Sequence, residues 1–299
     1  MDLIECEYLI IGSGAGASSV ADFLTESGYS VLMLEEGKNF SKNNKIMAAT
    51  DNMLGMWRST GLTPAFGSPS ITYAEAKCVG GGTEINSGIL QRAPQSVLNH
   101  WAEIDNTNQD FYTKHIYEYY DWVETALSAN IIDSSKNRHS QLLKEAAINQ
   151  NWKYEALPRA IKNCTCSEPL CVCGGKQSMT ATLLKKAENS SNFKLLSNTK
   201  VTKLLLKNEY IREVMAEQNS PDGGGKRLKI IPNHIFLCAG TIQSPHLLMK
   251  SGINFSGLGK FQLHPTLKLL THFKEKIDAA RQPLPNYAIT EFSPEVRFG

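Results

Sequence analysis

Short apolar runs alternate with polar turns through the first 35 residues of the chain. Glu7 to Ile11 is an apolar run followed by glycine, Ala15 to Ser27 is rich in small and apolar residues, and Tyr29 to Leu34 is a second apolar run. The pattern predicts strand, helix, strand. From Asn39 to Tyr73 no clean period is present, and the Gly, Pro and Ser of Gly61 to Ser70 predict a long loop. Thr107 to Ala129 reads as a helix capped by Asn106 or Thr107, and Arg138 to Asn149 as another. A cysteine loop over Asn163 to Gly175 precedes a third helix at Gln177 to Lys186.

Further on, the short apolar stretches Phe193 to Leu196, Lys200 to Leu206, Tyr210 to Ala216 and Leu228 to Ile231, with a turn at Pro221 to Gly225, predict an antiparallel meander. His234 to Cys238 is again continuous and apolar, as in a buried parallel strand. It leads through Ala239 and Gly240 into a helix from Gln243 to Lys250. The chain is thus expected to leave a parallel sheet and return to it.

Composition narrows the class. The 299 residues are 41% hydrophobic and carry 31 basic against 29 acidic side chains, for a net charge of +2. This excludes a disordered chain and gives no reason to expect a nucleic-acid partner. At roughly 150 residues per domain the length predicts two domains. No apolar run of about 18 residues is present, so no transmembrane segment is expected. The acidic start MDLIECEYLI lacks the positive region of a signal peptide, and four of the seven cysteines crowd one window. Together these predict a cytoplasmic protein.

Gly12, Gly14 and Ala17 stand at GxGxxA spacing between the first strand and the first helix. In such a turn the first glycine permits the tight bend, the second lets a pyrophosphate approach the backbone, and the third small residue lets helix and strand pack closely. The helix N-terminus adds unpaired N–H groups for phosphate. Glu35 ends the second strand, where a carboxylate can accept hydrogen bonds from a ribose and would repel a 2′-phosphate. Spacing alone leaves NAD and FAD open. A second glycine motif, Gly80 to Gly82 with Thr83 and Asn86, offers close backbone approach and hydrogen bonds to a flat or anionic group.

These two motifs, with the segment LCAGTIQSPHLLMKSGI at Leu237 to Ile253, occur in the order found in the glucose-methanol-choline (GMC) oxidoreductases, which the chain resembles from Glu7 onward. The resemblance implies an α/β fold: a Rossmann-like FAD-binding domain over 1–260, with an inserted helical and cysteine-loop segment at about 100–176, and a truncated mixed α+β substrate domain beginning at 261–299. It implies FAD with its pyrophosphate on Gly12, Ser13, Gly14, Ala15 and Gly16, beside Ala17, and its ribose on Glu35. The isoalloxazine is expected near Gly81, Gly82, Thr83 and Asn86, and the adenine at the backbone of Val201. Ile85 stands where some members carry a flavin-attaching histidine, so noncovalent FAD is expected. An NAD-dependent dehydrogenase would leave Gly80 to Asn86 without a role.

Cys164, Cys166, Cys171 and Cys173 form CxCx4CxC, which matches neither a zinc ribbon nor a ferredoxin run. Structural thiols or a local disulfide are the favoured reading, with a metal or iron–sulfur cluster as the alternative. The motif VGGGTEINSG is similar to the cholesterol-oxidase and long-chain alcohol oxidase branches, which implies oxidation of an alcohol CH–OH group with hydride passing to flavin N5. The family's catalytic histidine is not matched by any residue of this chain. His264 with Pro265 resembles an internal structural turn, and His246 reads as a surface or packing residue. The expected partners are a small-molecule alcohol and a complementing C-terminal polypeptide. The alternative expectation is an FAD-binding fragment or subunit without activity of its own.

Overall fold

The computed structural model describes residues 1–41, 49–105, 108–132, 137–163, 174–220, 223–254, 266–267, 269–277 and 286–299. The elements run β1 (Asp2–Ile11), α1 (Ala15–Glu26), β2 (Val31–Leu34), α2 (Ala49–Met56), β3 (Thr63–Ala65), β4 (Ile71–Tyr73), α3 (Gly82–Ile85), α4 (Gln95–Ile104), α5 (Ile116–Ala126) and β5 (Ala129–Ile131). They continue as α6 (Arg138–Asn149), β6 (Tyr154–Ala156), β7 (Pro158–Ala160), α7 (Leu183–Glu188), β8 (Phe193–Leu196), β9 (Thr199–Lys207), β10 (Tyr210–Asn219), β11 (Gly225–Leu237), α8 (Gly240–Lys250) and β12 (Tyr287–Ile289). The chain divides into a first unit, residues 1–86 and 178–266, and a second, residues 87–177 and 267–299.

The first unit is built on a six-stranded sheet in the order β8-β2-β1-β11-β10-β9. β2 lies parallel to both β1 and β8, and β1 lies parallel to β11. β9, β10 and β11 are antiparallel. A chain with apolar side chains on both faces of its central strands needs cover on each. Leu9, Ile11, Leu32 and Leu34 pack with Leu204, Val214, Leu228, Ile230 and Leu247 in one buried cluster. Ala17, Ala21 and Leu24 of α1 and Leu184 and Ala187 of α7 are also buried. The α1–β2 and α7–β8 crossovers are thus consistent with the strand, helix, strand expectation.

Several expected elements differ. Phe193–Leu196 is not part of the antiparallel meander but pairs parallel with β2, because the preceding α7 returns the chain to the same end of the sheet. The two expected strands at Leu228 to Ile231 and His234 to Cys238 are one continuous strand. Pro232, between the two stretches, lies beyond Ile230, the last residue of β11 to pair with β10, so its missing N–H forfeits no bond on that side. That strand's second half is less buried than expected: His234 and Phe236 are exposed and stack against Tyr8. The stretch from Asn39 to Tyr73, which shows no clean period, contains α2, and the loop expected at Gly61 to Ser70 contains β3 of the β3–β4 hairpin. The long helix expected from Thr107 to Ala129 is present, with a π-helical stretch at Phe111–His115 running directly into α5, whereas the helix at Gln177 to Lys186 becomes a 3-10 turn at Met179–Ala181 followed by α7. The expected caps Asn106 and Thr107 lie outside the described residues.

The second unit holds α4, α5 and α6 with two small sheets, β5–β7 and β6–β12. Asn137 caps α6, its side chain accepting from the Ser140 N–H at 3.1 Å. Ser140 Oγ in turn accepts from the Asn286 N–H at 3.0 Å, tying the end of the chain to that helix.

Candidate functional site

The first unit contains an open cavity of about 700 Å³ at the carboxyl ends of β1 and β2. In a doubly wound sheet this is where ligands bind. The turn that opens it is dictated by steric contact. Gly12 has φ +103, and a Cβ there would lie 2.3 Å from the Cys238 carbonyl oxygen. Its N–H donates to the Leu34 carbonyl at 2.8 Å while the Cys238 N–H donates to the Ile11 carbonyl at 2.8 Å, so β2, β1 and β11 all end at this point. Gly14 caps α1 in extended conformation and nothing lies within 4 Å of a Cβ built there, or at Gly16. Ala17 is buried, as helix–strand packing requires.

The second glycine motif meets the first directly. Gly81 has φ +59, and its Cβ would lie 2.8 Å from the Gly14 Cα. The Ser13 hydroxyl joins the two loops: it donates to Glu35 Oε2 at 2.7 Å and accepts from the Gly80 N–H at 3.1 Å. Glu35 Oε1 accepts from the Gly37 N–H at 2.8 Å. Burial raises the Glu35 carboxyl above its ordinary value, against the opposing pull of these two donors.

Of the residues marked out by sequence, Gly12, Ser13, Gly14, Glu35, Gly81, Gly82, Asn86 and Val201 line the cavity. Ala15, Gly16 and Ala17 do not line it but form the first turn of α1 behind Gly14. Thr83 is not in the wall either. Its hydroxyl donates to the Gly80 carbonyl at 2.7 Å and accepts from the Met179 N–H at 3.1 Å, which makes it a brace for the second glycine loop. Neighbouring Glu84 accepts from the Thr180 hydroxyl at 2.9 Å in the same way. The cysteine window, with Cys164, Cys166, Cys171 and Cys173, and the turn at His264 and Pro265 lie outside the described residues.

Three parts of the wall had no sequence signal as site residues. The start of α8, from Ala239 to Ile242, brings a second helix N-terminus to the cavity, and neither α1 nor α8 has an acidic residue in its first turn. Two positive helix ends with no carboxylate in their own first turns suit an anionic ligand. Trp57 and Tyr73, at the ends of the β3–β4 segment, supply aromatic surface. The third part is charged. Arg58 Nη2 lies 2.9 Å from Glu36 Oε2 and its Nε 3.2 Å from Glu75 Oε2, while Lys77 and Lys200 approach Glu36 Oε1 at 3.5 and 3.3 Å. Burial alone would raise the Glu36 carboxyl, but the Arg58 guanidinium, with Lys200 and Lys77, outweighs it and holds the group at about 2. Gln243 of α8 donates to Glu75 Oε2 at 3.0 Å and links this network to the helix.

Residues 7–266 match the family model described as GMC oxidoreductase. The chain belongs to the GMC oxidoreductase family. It is 37% identical over 300 residues to an uncharacterized GMC-type oxidoreductase of Sinorhizobium fredii, covering 99% of this chain and 59% of that protein. It is 24% identical over 279 residues to a long-chain-alcohol oxidase of Arabidopsis thaliana, covering 91% of this chain and 38% of that protein. The chain therefore spans between two fifths and three fifths of the length of these relatives. Among solved structures, pyridoxine 4-oxidase from Mesorbium loti superposes with a TM-score of 0.57 at 16% identity, over 83% of this chain and 52% of that one. A formate oxidase of Aspergillus oryzae, described for modification of its FAD, gives a TM-score of 0.61 at 16% identity, over 85% and 48%. The fold of this GMC member is thus the mixed α/β arrangement with a parallel sheet that these oxidases share. Among the described residues no helix is long and apolar enough to cross a membrane.

Proposed function

We propose that this chain is the FAD-binding part of an oxidoreductase acting on the CH–OH group of an alcohol. The observation that carries the reading is the junction of the two glycine loops. Gly81 sits against Gly14, Ser13 bonds Gly80, and both loops open into a cavity faced by two helix N-termini free of acidic residues. The residues present fit a dinucleotide. The space at Gly14 accommodates a pyrophosphate, the α1 and α8 ends supply donors and positive potential, and Glu35 keeps free lone pairs for a ribose although each oxygen already accepts one bond. Gly81, Gly82 and Asn86 would face the isoalloxazine, and Val201 the adenine. Thr83 serves by holding the loop rather than by touching the ring.

FAD, when bound, supplies the acceptor for a hydride. The protein's part in this reading is to hold that group at the end of the sheet and keep it noncovalent, since Ile85 offers no nucleophile in the cavity wall. The first unit acts as the FAD-binding domain and the second as the substrate side. A long-chain alcohol is the substrate class favoured by the alcohol oxidase relatives. A second reading is an FAD-binding subunit without alcohol chemistry of its own.

Purified protein should be yellow and release free FAD on denaturation. Colourless protein that takes up no FAD on titration would end both readings. Reduction of a dye by a long-chain alcohol would support the complete enzyme. Yellow protein inert to alcohols would support the subunit reading.

A further inference from the structure

Ser13 is 1% exposed, and its hydroxyl stands between two groups of opposite kind. A carboxylate only accepts and a backbone N–H only donates. The hydroxyl does both, and links them in one chain: the Gly80 N–H donates to Ser13 Oγ at 3.1 Å, and Ser13 donates to Glu35 Oε2 at 2.7 Å. Glu35 is itself 8% exposed, so little water is at hand to replace a lost bond. The Ser18 hydroxyl donates to the Ser13 carbonyl at 3.0 Å and steadies the backbone that carries the relay.

A second arm leaves from the other carboxylate oxygen. Glu35 Oε1 accepts from the Gly37 N–H at 2.8 Å, and a Cβ at Gly37 would lie 2.2 Å from the Lys77 carbonyl carbon. The next carbonyl, of Lys38, accepts from the Val79 N–H at 3.1 Å. Both oxygens of Glu35 therefore lead to the start of the second glycine loop. Gly80 and Gly81 take φ of +91 and +59, outside helix and strand, so the path of this loop depends on such ties. We propose that Ser13 is a positioning residue that couples the two halves of the cofactor cavity: through its hydroxyl, the carboxylate that meets the ribose also sets the loop that meets the isoalloxazine. The proposal rests on the FAD reading and adds to it a residue that acts on the ring's surroundings through Glu35 and Gly80.

Backbone hydrogen exchange in residues 79–82, followed by mass spectrometry on the full chain in excess FAD, tests it. Ser13→Ala should speed exchange there by about tenfold, the equivalent of one buried hydrogen bond. Glu35→Gln should do the same, because one amide oxygen cannot accept from both Ser13 and Gly37. With Ser13 gone that oxygen is free to serve Gly37, so the double variant should match Ser13→Ala alone. Ser13→Cys fills the space but bonds weakly, and should fall between wild type and Ser13→Ala. Paired with Glu35→Gln, it also runs the same cycle if Ser13→Ala does not fold. In the wild type, FAD should slow exchange in 79–82 more than FMN, which carries the ring without the adenosine ribose, and Ser13→Ala should remove that difference. Wild-type protein that takes up no FAD would overturn the flavin reading and this proposal together. Uptake of FAD with additive effects in the double variant, with Ser13→Cys equal to wild type, or with equal slowing by FAD and FMN, would overturn this proposal alone.

Discussion

The two arginines Arg58 and Arg159 show how differently the two units treat a buried charge. Arg58, in the first unit, stands between Glu36 and Glu75, with Lys77 and Lys200 on the far side of Glu36. Arg159, in the second, has two donors and no partner among the described residues. The same contrast extends to other buried atoms. In the first unit Asp22 Oδ1 makes no hydrogen bond, yet Lys186 Nζ lies 3.3 Å away. In the second, His139 Nδ1 and Asn286 Oδ1 are buried and unbonded among the described residues. The first unit sets its own opposite charges beside its buried charged atoms, although Thr63 Oγ1 there is buried without a hydrogen bond. Among the described residues, the second leaves buried atoms of Arg159, His139 and Asn286 without such partners.

The largest expected effect lies in the cradle. Gly12→Ala forces a Cβ into the Cys238 carbonyl and a side chain into φ +103, and should cost about 3 kcal/mol or more, with loss of bound flavin. Urea unfolding and the flavin absorbance of the purified protein would read both. Next comes the paired test of the arginines. Arg58→Met strands two acids and should cost about 2 to 4 kcal/mol, whereas Arg159→Met should cost nothing. Equal losses in the two variants would erase the contrast between the units.

Acid sharpens the same comparison. The Glu36 carboxyl is held at about 2 against an ordinary 4.5, so it binds fewer protons folded than unfolded at intermediate pH. Its contribution is complete above pH 4.5 and is lost as pH falls toward 2, by up to roughly 3 kcal/mol. Urea midpoints measured across that window should fall in the wild type, and Glu36→Gln should flatten its share of the slope. The smallest effect is expected of Thr83→Val, which deletes two hydrogen bonds that brace the second glycine loop and should cost about 1 to 2 kcal/mol. The spectrum of bound flavin should stay unchanged; a shifted spectrum would mean that Thr83 touches the ring.

Much of the first unit was legible in the sequence because its signals are local. The tight turn at Gly12, the capping position of Gly14 and the closeness of Ala17 follow from spacing within one strand, turn and helix. Sheet membership was less legible. Phe193–Leu196 is four apolar residues, too short to carry a direction, and its partner is set by where α7 delivers it. The stretches Leu228 to Ile231 and His234 to Cys238 are one strand because Pro232 between them lies where β10 has stopped pairing, which no local pattern reveals. The role of Thr83 was hidden for the same kind of reason: the N–H that engages its hydroxyl belongs to Met179, 96 residues away. Arg58 and Trp57 belong to no motif, and only the fold of the β3–β4 segment carries them to the cavity.

The Ser13 hydroxyl has a consequence for how the protein is made. It receives its N–H from Gly80, and the turn at Gly12 is shaped by the carbonyl of Cys238. The first glycine loop leaves the ribosome early, but the groups that define its geometry emerge much later. Contacts so distant along the chain form slowly, and that loop stays unfinished until both later segments have been synthesised. Cofactor loading therefore waits for synthesis past α8, and a nascent chain stalled before residue 238 should reach the folding machinery with its apolar sheet made and no flavin to hold it.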